Sequence, residues 1–310
     1  MTVKVLFAGR AGLWDSYEAH LKTALAAADV EAEIGPHVDP QEARYLLISV
    51  KDAPQDYAVF PRLRAVQTLS AGVEHVAGNP TLSVPLARLV DPGLTQGMVE
   101  WCAGHVLRHH LGMDAQITRS EPTWDPKVPP LAWNRKVAVL GLGALGQAVG
   151  EALTALGFKV HGWSRSAKSI AGIACHHGNE GLKSALQGAE IVVLLLPKTA
   201  ATENVINAQS MVRMARGAVI INPGRGPLID DEALIAALGE GQIGHATLDV
   251  FRTEPLPQAH PFWAHPNITV TPHIASETRP DTAAQVVAEN IRRCEAGEEM
   301  LHLVDAARGY

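Results

Sequence analysis

Short apolar runs alternate with amphipathic stretches along almost the whole chain, and that rhythm limits the possible folds more than any other feature. "KVLFAG" from Lys4 and "YLLISV" from Tyr45 read as strands, with "EAEIG" a further short one. "SYEAHLKTALAAA" between the first two repeats its apolar residues at helical spacing. "LRAVQTLSAGVEHV" is a strand running into a glycine turn. Strand, helix, strand in succession calls for a parallel sheet covered by helices. "GMVEWCAGHVLRHHLGMDAQI" then reads as one long helix, and "SEPTWDPKVPPLAWN" as an irregular connection. A second series follows through "KVAVLGLG", "FKVHGW", "IVVLLLP", "AVIINP", "ATLDVF" and "ITVTPH". In "IDDEALIAALGEG" Asp230 is placed to cap a helix, acidic residues fill its first turn and Gly239 can end it. A last helix is expected in "RPDTAAQVVAENIRRCEAG". The chain therefore reads as α/β, with a middle domain over residues 99–284 inserted between residues 1–98 and a return segment, 285–310.

A length of 310 residues fits two such domains, because single cores stop growing near this size. The formal net charge of −6 argues against a nucleic-acid partner, since phosphate backbones are met by a basic excess. Cys102, Cys175 and Cys294 are odd in number and far apart, which points to a reducing cytoplasm rather than a disulfide framework. "MTVKVLFAGR" reads as a strand rather than a signal peptide, and "IVVLLLP" is far too short to span a membrane.

"VAVLGLGALGQAVG" places Gly141, Gly143 and Gly146 in a GxGxxG spacing after a strand and at the start of a helix. The first glycine permits the tight turn, the second admits a pyrophosphate to the backbone, and the third lets helix and strand pack closely. The opening helix, at Ala144 and Leu145, offers unpaired N–H groups to phosphate. Proteins that bind NAD carry a carboxylate at the end of the second strand, where it bonds the ribose 2′-hydroxyl. Here that strand ends in Ser164, Arg165 and Ser166, with Lys168 beyond. An arginine would grip a 2′-phosphate through charge-assisted bonds of about 1.5–3 kcal/mol each. NADP(H) is therefore the expected cofactor.

Three further groups follow successive strands of the same series. They are Arg225 in "INPGRGPLIDD", Asp249 and Glu254 in "LDVFRTEPLP", and His273 in "TPHIASETRP". Ligands of open α/β sheets bind at the carboxyl ends of strands. A 2-oxo acid needs a cation for its carboxylate, and arginine can clamp it bidentately. Reduction puts charge on the carbonyl oxygen, so a proton donor is needed there. A histidine held by a carboxylate suits that role.

These motifs make the chain resemble the D-isomer-specific 2-hydroxyacid dehydrogenase family, most closely its glyoxylate/hydroxypyruvate reductase A branch. "LSAGVEHV", "GMVEW", "VLGLGALG", "GWSRSAKS", "LLPKTAAT", "NPGRGPLID", "LDVFRTEPLP", "TPHIASETRP" and the ending "VDAARGY" carry the likeness. The resemblance implies two doubly wound parallel-sheet domains, a flavodoxin-like substrate domain and a Rossmann NAD(P)-binding domain, with a cleft between them. It implies Arg225 as the substrate clamp, His273 as proton donor and Glu254 as its partner. Asp249 would lie near the nicotinamide carboxamide, Pro197 and Thr202 would line the cofactor, and the backbone of Ala71 and Gly72 would bind the substrate carboxylate. The implied activity is NADPH-dependent reduction of glyoxylate or hydroxypyruvate to the D-hydroxy acid, by a homodimer, with no metal, nucleic acid or membrane involved. Reduction of bulkier 2-oxo acids such as phenylpyruvate, or non-catalytic NADP(H) sensing, stand as alternatives. Gly224 departs from the family, where many members have alanine before the arginine, and "PLAWNRK" departs from a usual Gly-Lys pair.

Some tempting residues carry less. "CHHG" from Cys175 has no second half of a metal site and reads as a surface loop. His105 and His109 share a helix face but lack a third ligand. Trp14, Trp124 and Trp133 fall in loop-like sequence, and Trp14 and Lys51 are candidates for shaping the substrate pocket.

Overall fold

The computed structural model describes residues 2–10, 12–49, 52–118, 120–122, 124 and 126–305. Lys51 and the last five residues of the "VDAARGY" ending lie outside that set. The chain divides into two compact units, Met1–Leu94 with Glu277–Tyr310, and Thr95–Ser276. The second crossing thus falls before the last helix, not within it as the boundary at 284/285 supposed. That helix, α8 at Pro280–Glu295, buries Ala283, Ala284, Val287, Ala288 and Ile291 in the core of the first unit, so it cannot be split between the two.

The first unit holds a five-stranded, wholly parallel sheet. Its strands are β1 (Val3–Ala8), β2 (Ala32–Gly35), β3 (Tyr45–Ile48), β4 (Ala65–Thr68) and β5 (Leu86–Ala87), in the order β2-β1-β3-β4-β5. This is the flavodoxin-like order. Alternation decides the two faces. Val5, Phe7, Tyr45 and Leu47 meet α1 (Leu13–Ala27) and α8 on one side. Leu6, Leu46, Ile48 and Val66 meet Tyr57, Phe60, Val73 and Val76 on the other, a face covered by turns rather than helices. Trp14 belongs to α1, not to a loop. Its ring packs edge-on to Phe7 at 5.2 Å, which makes it a wall of this core.

The second unit begins within α2 (Pro92–His110). The single long helix expected over 97–117 is broken. Gly112 takes a left-handed φ of 64°, and a separate short helix, α3, runs from Met113 to Ile117. Seven parallel strands follow: β6 (Lys136–Leu140), β7 (Lys159–Ser164), β8 (Ala174–His177), β9 (Ile191–Leu194), β10 (Ala218–Asn222), β11 (Ile243–Leu248) and β12 (Ile268–Val270). Their order is β12-β11-β10-β9-β6-β7-β8, so the sheet reverses direction between β6 and β9. That is the doubly wound Rossmann topology, and the reversal opens a crevice at the carboxyl ends of the two strands. β8 corrects the reading of "CHHG" as a loop. It pairs with β7 from His161↔Ala174 to Ser164↔His177, and the short run of mixed polarity hid it. α4 (Ala144–Ala155) and α2 cover one face; α5 (Gly178–Leu186), α6 (Ala208–Met211) and α7 (Asp231–Gly239) cover the other. Asp230 caps α7 through a bond from Ala233 N, 3.1 Å long, as its position suggested. Gly239 is the last residue of that helix, and the left-handed turn beyond it is made by Gly241. Among the described residues no helix is long and apolar enough to cross a membrane.

Candidate active site

The glycine loop joins β6 to α4, and the structure gives each of its glycines a distinct physical reason. Gly141 has φ 105°, and a Cβ there would lie 2.5 Å from Leu195 O. A Cβ on Gly146 would lie 1.7 Å from Gly141 O, so only glycine lets α4 sit this close to its strand. A Cβ on Gly143 would meet nothing within 4 Å among the described residues. Gly143 is also the N-cap of α4 and supplies no side-chain cap, so the first turn presents backbone N–H groups, those of Ala144 and Leu145 included, to open space. A diphosphate fits that combination: room above the second glycine and donors with no side-chain competitor.

At the end of β7, Ser164 is buried and donates its hydroxyl to Ser166 O, 2.8 Å away. Its proton closes the turn rather than pointing outward. Arg165 and Ser166 stand exposed beyond it. Lys168 Nζ donates to Leu142 O, tying this turn to the glycine loop. After β9, Thr202 is buried and donates to Pro197 O at 2.7 Å while accepting from Thr199 N at 2.9 Å, so the segment 197–202 is a small closed ring.

Asn222, the last residue of β10, organises the arginine loop. Its Oδ1 accepts from Gly224 N (3.1 Å) and its Nδ2 donates to Arg225 O (3.0 Å). Arg225 donates from Nη1 to Gly224 O at 2.7 Å. The next residue, Gly226, is packed so tightly that a Cβ would lie 2.0 Å from the carbonyl carbon of Phe251.

Glu254 and His273 meet. Glu254 Oε2 lies 2.7 Å from His273 Nδ1, and its Oε1 accepts from Phe251 N at 2.9 Å. The imidazole is half exposed, and Nδ1 is the ring nitrogen that Glu254 engages. His273 adopts φ 57°, a left-handed conformation uncommon for a non-glycine residue. Asp249 holds it there. This fully buried carboxylate accepts from Thr271 Oγ1 (2.5 Å), Ile274 N (2.9 Å) and Ala275 N (2.9 Å), and its own carbonyl accepts from His273 N (2.9 Å). The side chain of Asp249 is thus committed to the loop that carries the histidine.

Ala71 and Gly72 lie in the first unit, in the turn after β4. Thr68 Oγ1 donates to Ser70 O (2.7 Å) and Ser70 Oγ to Gly72 O (3.1 Å), which fixes the turn from inside. His109, on α2, packs against β11. Its Nε2 bonds Thr247 Oγ1 at 2.9 Å and its ring lies 4.8 Å from that of His245. Asn222 escaped the sequence reading, although an asparagine before proline at a strand end is a turn signal.

Comparison with known proteins agrees with this architecture. The model of the D-isomer specific 2-hydroxyacid dehydrogenase NAD binding domain matches residues 103–275. Glyoxylate/hydroxypyruvate reductase A of Serratia proteamaculans is 40% identical over 278 residues, 84% of this chain and 89% of that protein. Its counterpart in Yersinia enterocolitica is 39% identical, over 88% and 89%. A D-isomer specific 2-hydroxyacid dehydrogenase of Xanthobacter autotrophicus, solved with NADPH and MES, superposes with a TM-score of 0.91 at 41% identity, covering all of both chains. The NADPH-dependent glyoxylate/hydroxypyruvate reductase of Sinorhizobium meliloti, solved with NADP and sulfate, gives 0.86 at 33%, again over both whole chains. With its Rossmann unit, its glycine loop and these relatives, the chain belongs to the D-isomer specific 2-hydroxyacid dehydrogenase family.

Proposed function

We propose that this protein is an NADPH-dependent reductase of small 2-oxo acids, glyoxylate and hydroxypyruvate above all, and that it yields D-2-hydroxy acids. The observation that carries the reading is the His273–Glu254 contact at 2.7 Å, on loops following the strands of a Rossmann sheet whose β7 ends in Ser-Arg-Ser. Gly143 leaves room for the diphosphate, and the N–H groups at Ala144 and Leu145 face it. Arg165, Ser166 and Lys168 hold the 2′-phosphate on the turn that Ser164 closes. Pro197 and Thr202 present their ring to the nicotinamide half, and Asp249 orders the loop beside the carboxamide. When bound, reduced nicotinamide supplies the hydride that the carbonyl carbon receives.

The protein's own groups do the rest. Arg225 clamps the substrate carboxylate. His273 delivers a proton from Nε2 to the carbonyl oxygen, because Nδ1 is engaged by Glu254. The Glu254 carboxylate orients the ring through its contact with Nδ1. Exposed apolar side chains between α2 and β6, with Ile117 70%, Trp124 94% and Val128 90% exposed, support a homodimer built on the second unit. The cytoplasm suits both the cofactor and the three free thiols.

The test follows oxidation of NADPH, and of NADH in parallel, with glyoxylate, hydroxypyruvate and phenylpyruvate. Faster turnover with NADPH on the two small acids is the expected result. Preference for NADH would remove the 2′-phosphate assignment. Preference for phenylpyruvate would move the substrate class. Tight NADPH binding without any turnover would leave a binding protein.

A further inference from the structure

Arg252 lies two residues before Glu254, on the loop that follows β11. Its Nη2 donates to Asn204 Oδ1 and to Ile229 O, the latter at 2.5 Å. Nη1 faces Glu203 at 3.6 Å, and Nε faces Asp231 at 3.5 Å. These acceptors come from different places in the chain. Glu203 and Asn204 follow directly on the ring of Pro197 and Thr202 after β9. Ile229 and Asp231 end the segment that begins with Arg225 after β10. One guanidinium therefore spans the loops after three adjacent strands.

The same loops also touch without it. Asn204 N donates to Pro227 O (2.9 Å) and Ile206 N to Leu228 O (3.0 Å). Gly226 rests on the backbone of Phe251 and Arg252. Glu254 is also held through its Oε1, which accepts from Phe251 N at 2.9 Å, and Arg252 ties the stretch between them to the neighbouring loops. The Arg252 side chain is one-third exposed, so its ion pairs contribute little to global stability. Its effect is geometric. A planar fork presents five N–H donors in fixed directions to acceptors on several segments, whereas a lysine ammonium offers three donors from one atom on a flexible stem.

We propose that Arg252 is a positioning residue for the proton-donor pair: by tying the β11 loop to the loops of Thr202 and Arg225, it holds Glu254 where its carboxylate meets His273. This rests on the roles given above to Glu254 and His273.

The test is a double-mutant cycle on the full-length protein with NADPH and glyoxylate. It compares Arg252→Ala, Glu254→Gln and the double variant, with Arg252→Lys alongside. Arg252→Ala should lower kcat about tenfold or more, since a misplacement of about 1 Å can cost about 10²-fold. Arg252→Lys should recover only part of that loss. With Glu254→Gln already in place, Arg252→Ala should cost less than about twofold, because two changes that act through one contact are not additive. An NADPH fluorescence titration checks that each variant is folded; if Arg252→Ala is not, Arg252→Lys replaces it in the cycle. Equal losses in both backgrounds, or full kcat for Arg252→Ala beside an impaired Glu254→Gln, would overturn the proposal. Full kcat for Glu254→Gln alone would overturn the role of Glu254 itself, and the proposal with it.

Discussion

Gly226→Ala asks for the smallest possible addition at the place where the structure is least able to take it. The new methyl carbon would lie 2.0 Å from Phe251 C and 2.4 Å from both Phe251 O and Arg252 N. These are backbone atoms, so no side chain can rotate away. Ordinary contact begins near 3.4 Å, so one loop must retreat by about 1.4 Å. The loops in question carry Arg225 and Glu254. A shift of about 1 Å at reacting groups costs up to about 10²-fold in rate, and overpacking costs about 1–3 kcal/mol of stability. The expected outcome is a fall in kcat/KM for glyoxylate by a factor of about 30 to 100, with NADPH affinity nearly unchanged. The assay is steady-state NADPH oxidation, with a fluorescence titration of NADPH and a urea melt beside it. A variant within about threefold of the parent in kcat/KM would refute the reasoning, because the two loops would then not need their present spacing.

Gly143→Ala is the mirror case. Its Cβ meets nothing among the described residues, so the stability from a urea melt should hold within about 0.5 kcal/mol while NADPH binds at least about tenfold more weakly; equal binding would mean no ligand approaches that carbon. Arg165→Ala should cut the preference for NADPH over NADH by about ten- to hundredfold, read as the ratio of the two kcat/KM values. His273→Ala should abolish most turnover and leave the NADPH titration intact; near-normal turnover would end its role as proton donor. The last prediction concerns pH. Burial, then His245 and Arg108, push the His109 pKa down from 6.5 to about 3. The folded state thus keeps this ring neutral, and its contribution to stability is whole above about pH 6.5. As the pH falls below that, the unfolded chain takes up a proton that the folded one refuses, and the loss is complete only below about pH 3. At pH 5 the difference is on the order of 2 kcal/mol. Urea melts at pH 7 and pH 5 should show that loss, and His109→Gln should reduce it; an unchanged pH slope in the variant would assign the loss to other groups.

Much of this protein is written in its local sequence. The strands of the second sheet are apolar runs bounded by turn residues, and the glycine fingerprint, the Ser-Arg-Ser turn and the Asp230 cap each act within a few residues of themselves. The placement of Arg225, Glu254 and His273 after recognisable strands was legible, and their roles are the proposal made above. What escaped was set by distance or by competition. α2 ends where Gly112 turns left-handed, although the apolar period runs on past it. β8 exists because β7 offers an edge, not because Ala174–His177 prefers to be extended. No local pattern brings Glu254 to His273, fastens Asp249 to three donors beyond β12, or sends Arg252 to partners on two earlier loops. Sequence alone determined most of the elements, the glycine loop and the kinds of chemical group at the strand ends, because propensity and periodicity are properties of neighbours along the chain. Only the tertiary structure decided which of those groups touch, because strand order in the sheet, not sequence separation, sets which loops lie side by side.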